Sequence, residues 1–136
     1  MSGRGPLRIL VAGVALGVIA QAILAGLFLS GVGEARLVHT IVGWLLPYYA
    51  LIVAVVAALT RPRHGWSRGA ALGVYLLPVV LWSQEVLGHL PFPWATAVHV
   101  PLGVLLFAGA LLLAVFAKPS GGAKEQPRHP AAARRS

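Results

Sequence analysis

Two histidines carry the chemistry this sequence can offer. His39 lies in Leu37-Val38-His39-Thr40-Ile41-Val42-Gly43-Trp44-Leu45-Leu46, and His99 lies in Ala97-Val98-His99-Val100-Pro101-Leu102-Gly103-Val104-Leu105-Leu106. Both stretches read Val-His-x-x-x-Gly-x-Leu-Leu, near the start of a long apolar run. The step from Glu34 to His39 equals the step from Trp94 to His99. At about 1.5 Å of rise per residue, each imidazole sits about 7–8 Å inside its helix. An ionisable side chain within a membrane span is a functional candidate that faces the bundle interior. Two imidazoles at matching depth on non-adjacent helices suit axial ligation of a haem iron, and a bundle core is a common place for such a site. The bland alternative is that each histidine is an interfacial residue hydrogen-bonded to a neighbouring helix. Zinc or copper suits the pair less, because closed structural zinc sites use four ligands and the chain has no cysteine.

The residues around the pair extend the candidate site. Gly43 and Gly103 each follow a histidine by four positions and so share its helical face. Their missing side chains leave room for a macrocycle edge, or equally for a close-packed helix. Gln21 and Gln84 are the buried amides, read as interhelical glue or as contacts to a haem edge or a quinone carbonyl. Glu85 is the one carboxylate inside an apolar run. It stands four residues before His89 and so shares its face, which makes a proton-carrying pair or a plain interfacial ion pair. Glu34 and Arg36 read as loop charges. No soluble catalytic domain and no nucleotide motif is present, so no catalytic residue is assigned, and an electron-transfer or accessory role is expected over an independent enzyme.

Four apolar runs must position these residues: Leu7–Leu29, Leu37–Leu59, Gly69–Leu90 and Trp94–Ala117. Each approaches or exceeds the roughly 20 residues a helix needs to cross a bilayer. The chain has 136 residues, 58% of them hydrophobic and 10% charged, too apolar for so small a soluble core. Only helices or closed barrels span lipid. The linkers Ser30–Arg36, Thr60–Arg68 and Pro91–Pro93 are short, which predicts an all-α, up-down four-helix membrane bundle over residues 1–117. Residues 118–136, rich in Pro, Gly, Ala and Arg, read as a disordered basic tail against anionic lipid.

The net charge of +8 would suggest nucleic acid in a soluble chain. Here it reads as topology, and no nucleic-acid partner is expected. Arg4, Arg8, Arg61, Arg63, Arg68, Lys118, Lys124, Arg128, Arg134 and Arg135 fall on one side, and Arg36 alone on the other. Both termini are therefore expected in the cytoplasm, with the chain in the plasma membrane and the histidines near the outer leaflet. The alternative for the first run is a cleaved signal peptide ending near Ala20-Gln21-Ala22. Phe92 and Trp94 are expected as outer interfacial anchors and Trp66 as a cytoplasmic one. Trp44 is expected to point away from the histidine face. Pro47 and Pro78 are candidate kinks, and the Gly13/Gly17 and Gly69/Gly73 pairs are candidate packing faces.

The halves also resemble each other. Gln21-Ala-Ile-Leu-Ala-Gly26 parallels Gln84-Glu-Val-Leu-Gly88, and each glutamine is followed by its histidine, after 18 residues in one half and 15 in the other. A two-helix internal repeat is expected.

Gln84-Glu-Val-Leu-Gly, then Leu90-Pro91, then Ala97-Val98-His99, resembles the Q-x-x-L-G…P…H pattern of heme A synthase. That family is a duplicated pair of four-helix halves with histidines on the second and fourth helix of each. The resemblance covers one such half, without the paired cysteines of the bacterial outer loop. It implies haem held by His39 and His99, and a haem-handling role beside the electron-transfer one. Gln21 to Gly26 followed by H-x-x-x-G is similar to a group of small four-helix membrane proteins from high-GC bacteria, over most of residues 7–117. The general likeness to b-type cytochrome bundles implies haem b, with quinol, a membrane redox partner, a larger complex or a second copy of the chain as partners. A cofactor-free structural or assembly protein is the reading opposed to these.

Overall fold

Backbone polar groups in hydrocarbon must be satisfied within the chain, and four long apolar stretches do so as helices. A computed structural model describes residues 4–64 and 66–116. The helices are α1 (Arg4–Leu29), α2 (Glu34–His64), α3 (Arg68–His89) and α4 (Pro93–Phe116). All four are long and apolar enough to cross a membrane. The helices begin and end within a few residues of the expected apolar runs, the largest difference being the extension of α2 to His64. The expected tail, 118–136, lies outside the described residues.

Local chemistry sets the turns. At the end of α1, Gly31 takes a left-handed φ of 99°. Its N–H bonds the Phe28 carbonyl at 3.1 Å and Val32 N–H bonds the Leu27 carbonyl at 3.0 Å, a glycine-terminated helix end that a β-carbon would strain. Ser67 caps α3, its hydroxyl accepting from Ala70 N–H at 3.2 Å. Leu90 is extended ahead of Pro91, which stops α3, and Pro93 opens α4 where its missing N–H costs nothing. All four helices run unbroken, α2 through Pro47, α3 through Pro78 and α4 through Pro101.

α1 packs on α2, α2 on α3, α3 on α4, and α4 back on α1. α1 and α3 are therefore diagonal, as are α2 and α4. The burial pattern repeats between the halves. Sixty positions apart in α2 and α4, Ala35 matches Ala95, Leu46 matches Leu106, Ala50 matches Ala110 and Ala54 matches Ala114, every one buried. Sixty-three positions apart in α1 and α3, Val11 matches Val74, Val14 matches Leu77 and Val18 matches Leu81, again all buried. The same two offsets relate Gln21 to Gln84, His39 to His99 and Gly43 to Gly103. The bundle is thus two like hairpins around a pseudo-two-fold axis along the helices.

Small residues set the close approaches. Tyr49 of α2 lies over Gly13 and donates its hydroxyl to the Leu10 carbonyl at 3.0 Å. Leu46 lies over Gly17, and Leu113 of α4 lies over Gly73. Gly69, expected to pack beside Gly73, has open space where a β-carbon would be, because it falls in the first turn of α3. Trp66, expected at the interface, is instead 5% exposed and belongs to the central apolar cluster. Placed between α2 and α3, the indole buries its rings against the end of the core, which shields more apolar surface than an interfacial seat.

Candidate functional site

Each glutamine and its histidine hold one another across a hairpin through main-chain oxygens. In the first half Gln21 Nε2 donates to the His39 carbonyl at 2.9 Å, and His39 Nδ1 bonds the Gln21 carbonyl at 3.0 Å. In the second half Gln84 Nε2 donates to the His99 carbonyl at 2.7 Å, and His99 Nδ1 bonds the Gln84 carbonyl at 3.0 Å. A carbonyl oxygen only accepts, so Nδ1 carries the proton in both rings, and a neutral ring keeps the Nε2 lone pair. Phe28 meets the His39 ring edge-on, with centroids 5.4 Å apart. The His99 ring lies against Gly88 of α3, its Cε1 just 2.8 Å from where a β-carbon would stand. Both rings are therefore seated in the seam of their own hairpin.

The glycines one turn on from the histidines are covered by polar side chains. A β-carbon on Gly43 would meet both Glu85 carboxyl oxygens at 2.6 Å and Gln21 Nε2 at 2.7 Å. One on Gly103 would meet Gln84 Nε2 at 3.1 Å. Glu85 from α3 and Gln21 from α1, on diagonal helices, thus converge on α2. Pro47 has no N–H to return to the Gly43 carbonyl, which leaves that oxygen without its helical bond. The Gln21 and Gln84 amide oxygens are buried and have no hydrogen-bond partner. Gln84 is 8% exposed, so an open acceptor there is a costly feature in a membrane interior.

Glu85 and His89 share a face as expected, yet their side chains are not joined as a pair. His89 Nδ1 bonds the Glu85 main-chain carbonyl at 2.8 Å, while the Glu85 carboxyl turns to Gly43. Trp44 points outward from the histidine face, as expected, and meets the His89 ring at 5.4 Å and Trp82 at 5.6 Å; Tyr48 meets Trp82 at 5.2 Å. This ladder of rings across α2 and α3 was not readable as a unit. Only the four-residue step from Trp44 to Tyr48 hints at it.

Each ring taken singly has the tautomer of a metal-ligating histidine, with Nδ1–H on a carbonyl. Ligating histidines commonly donate the other ring N–H to a carbonyl, which fixes tautomer and orientation, and both rings here do so. The space beside Gly43 and Gly103 holds Gln21, Glu85 and Gln84, not a void. Among the described residues, no group of three or more His, Cys, Asp or Glu side chains could hold a metal ion. Compared with protein families, with curated proteins and with solved structures, the chain matches none.

Proposed function

We propose that this chain is a small bis-histidine b-type haem protein of the membrane, with His39 and His99 as axial ligands. One observation carries the reading: both imidazoles spend Nδ1 on a glutamine carbonyl, at positions related by the internal repeat, and keep Nε2 for a metal. Bound there, haem b supplies reversible one-electron chemistry. The residues of the chain hold and orient the rings: Gln21 and Gln84 each present a main-chain oxygen to Nδ1. Gln21 and Gln84 fix the seam that seats each ring. The role is electron transfer near the outer leaflet of the plasma membrane, with quinol or an outward-facing redox protein as partner, and service within a larger respiratory complex fits its size. The excess of Lys and Arg on one side supports cytoplasmic termini. Titration of detergent-purified chain with hemin tests the reading: a Soret band that saturates at one haem per chain supports it, and a featureless rise overturns it.

A second reading is favoured by the cover over Gly43 and Gly103. A cofactor-free structural or assembly protein would use the two glutamine–histidine clamps only to lock its hairpins. It predicts a colourless chain that melts at the same temperature with and without added hemin.

A further inference from the structure

The two hairpins repeat one another in the core but differ on one outer face. Trp44, Tyr48, Trp82, Glu85 and His89 gather along the α2–α3 seam. Their repeat counterparts on the α4–α1 seam are Val104, Ala108, Ile19, Ala22 and Gly26, which carry no ring and no hydrogen-bonding side chain. A face built on one of two otherwise equivalent seams points to a task there that packing does not require.

We propose that the α2–α3 seam binds a lipid-soluble hydroquinone. The face is aromatic: Tyr48, Trp82, Trp44 and His89 pack one on the next, edge-on or tilted, with centroid separations of 5.2, 5.6 and 5.4 Å. Trp44, Tyr48 and His89 are exposed on the outer surface of the bundle, so a planar ring can stack on them. The polar ends are acceptors. His89 spends Nδ1 on the Glu85 carbonyl, which leaves Nε2 to receive a hydroxyl, and the Glu85 carboxyl beside Gly43 receives a second. The two residues lie four positions apart, about 6 Å along the axis. Two acceptors beside this aromatic ladder match a molecule with two hydroxyl donors, hence the reduced ring over the oxidised one. Trp82 also lines a shallow apolar groove with Val79, Ser83, Val86 and Leu87, a path for a prenyl tail along α3. This deepens the electron-transfer reading by naming its lipid-soluble partner, yet the residues involved are separate from the haem ligands.

The test is thermal melting of the whole chain in detergent under anaerobic conditions, with decylubiquinol or decylubiquinone as the probe. A ligand that binds the folded state alone raises Tm by mass action and does so saturably. Decylubiquinol is expected to raise Tm more than an equal concentration of decylubiquinone. His89→Ala and Glu85→Ala should each weaken the effect about tenfold, equivalent to about 1.4 kcal/mol, while Val104→Ala on the opposite seam keeps it. Trp82→Leu should abolish it, and helical circular dichroism shows that each variant is folded. Equal shifts from the two probes, or shifts unchanged in the His89 and Glu85 variants, would mean partition into the micelle and overturn the proposal. A chain that binds decylubiquinol but takes up no hemin overturns the haem reading alone. One that binds hemin without the selective shift overturns this proposal alone.

Discussion

Gln84 and His99 are joined twice, and each bond ends on a main-chain oxygen: Gln84 Nε2 to the His99 carbonyl at 2.7 Å, and His99 Nδ1 to the Gln84 carbonyl at 3.0 Å. Replacing the glutamine side chain therefore removes one bond and leaves the other. An interhelical hydrogen bond in a membrane is worth about 0.6–2 kcal/mol. Gln84→Ala should lower stability by that amount in a reversible SDS-unfolding titration, with His99→Ala costing more because it also empties the ring's seat on Gly88. Equal stability of Gln84→Ala and the parent would show the clamp to be energetically idle.

Gly43 and Gly103 are related by the repeat but should respond differently to alanine. The new methyl on Gly43 would press on the Glu85 carboxyl and the Gln21 amide, whereas on Gly103 it meets only the Gln84 amide at 3.1 Å. Overpacking typically costs about 1–3 kcal/mol. Gly43→Ala should therefore be the more destabilising, and its cost should shrink in a Glu85→Ala background. Gly26→Ala, with open space at its β-carbon position, is the neutral control. Additive effects of Gly43→Ala and Glu85→Ala would show that the carboxyl does not rest there.

Gly31 turns the chain from α1 to α2 at a φ of 99°. Alanine there should cost about 1–2 kcal/mol, the usual penalty for a left-handed L-residue. Alanine at Gly33, where φ is not positive, should leave the unfolding midpoint near that of the parent.

Trp66 and Trp94 separate core from interface. Loss of a buried Trp side chain costs about 3–5 kcal/mol, so Trp66→Ala should unfold far more readily than Trp94→Ala. Trp94 is exposed and stacked on Phe92, with ring centroids 6.0 Å apart. Similar midpoints for the two variants would return Trp66 to the surface.

The four spans were legible because a membrane helix announces itself by length and apolar content, and the turn between α3 and α4 by Pro91 and Pro93. The repeat was legible in the matching Val-His-x-x-x-Gly stretches and the two glutamines. The partners of those residues were not. In lipid, apolar side chains face outward as well as inward, so the sequence of α1 carries no polar stripe to mark which face meets α2. Nothing in the spacing of Glu85 and His89 says that the carboxyl turns to Gly43 while the imidazole takes a main-chain oxygen. Trp66 looked interfacial because its neighbours in sequence are basic; its burial depends on how the α2–α3 connection returns to the bundle.

The measurement closest to the central claim is a reduced-minus-oxidised absorption spectrum of the detergent-purified chain, beside His39→Ala and His99→Ala. The bis-histidine reading predicts a sharp b-type alpha band in the parent that both variants lose while keeping their helical circular dichroism. A colourless parent after expression with ample haem, or a band that survives in either variant, would contradict it.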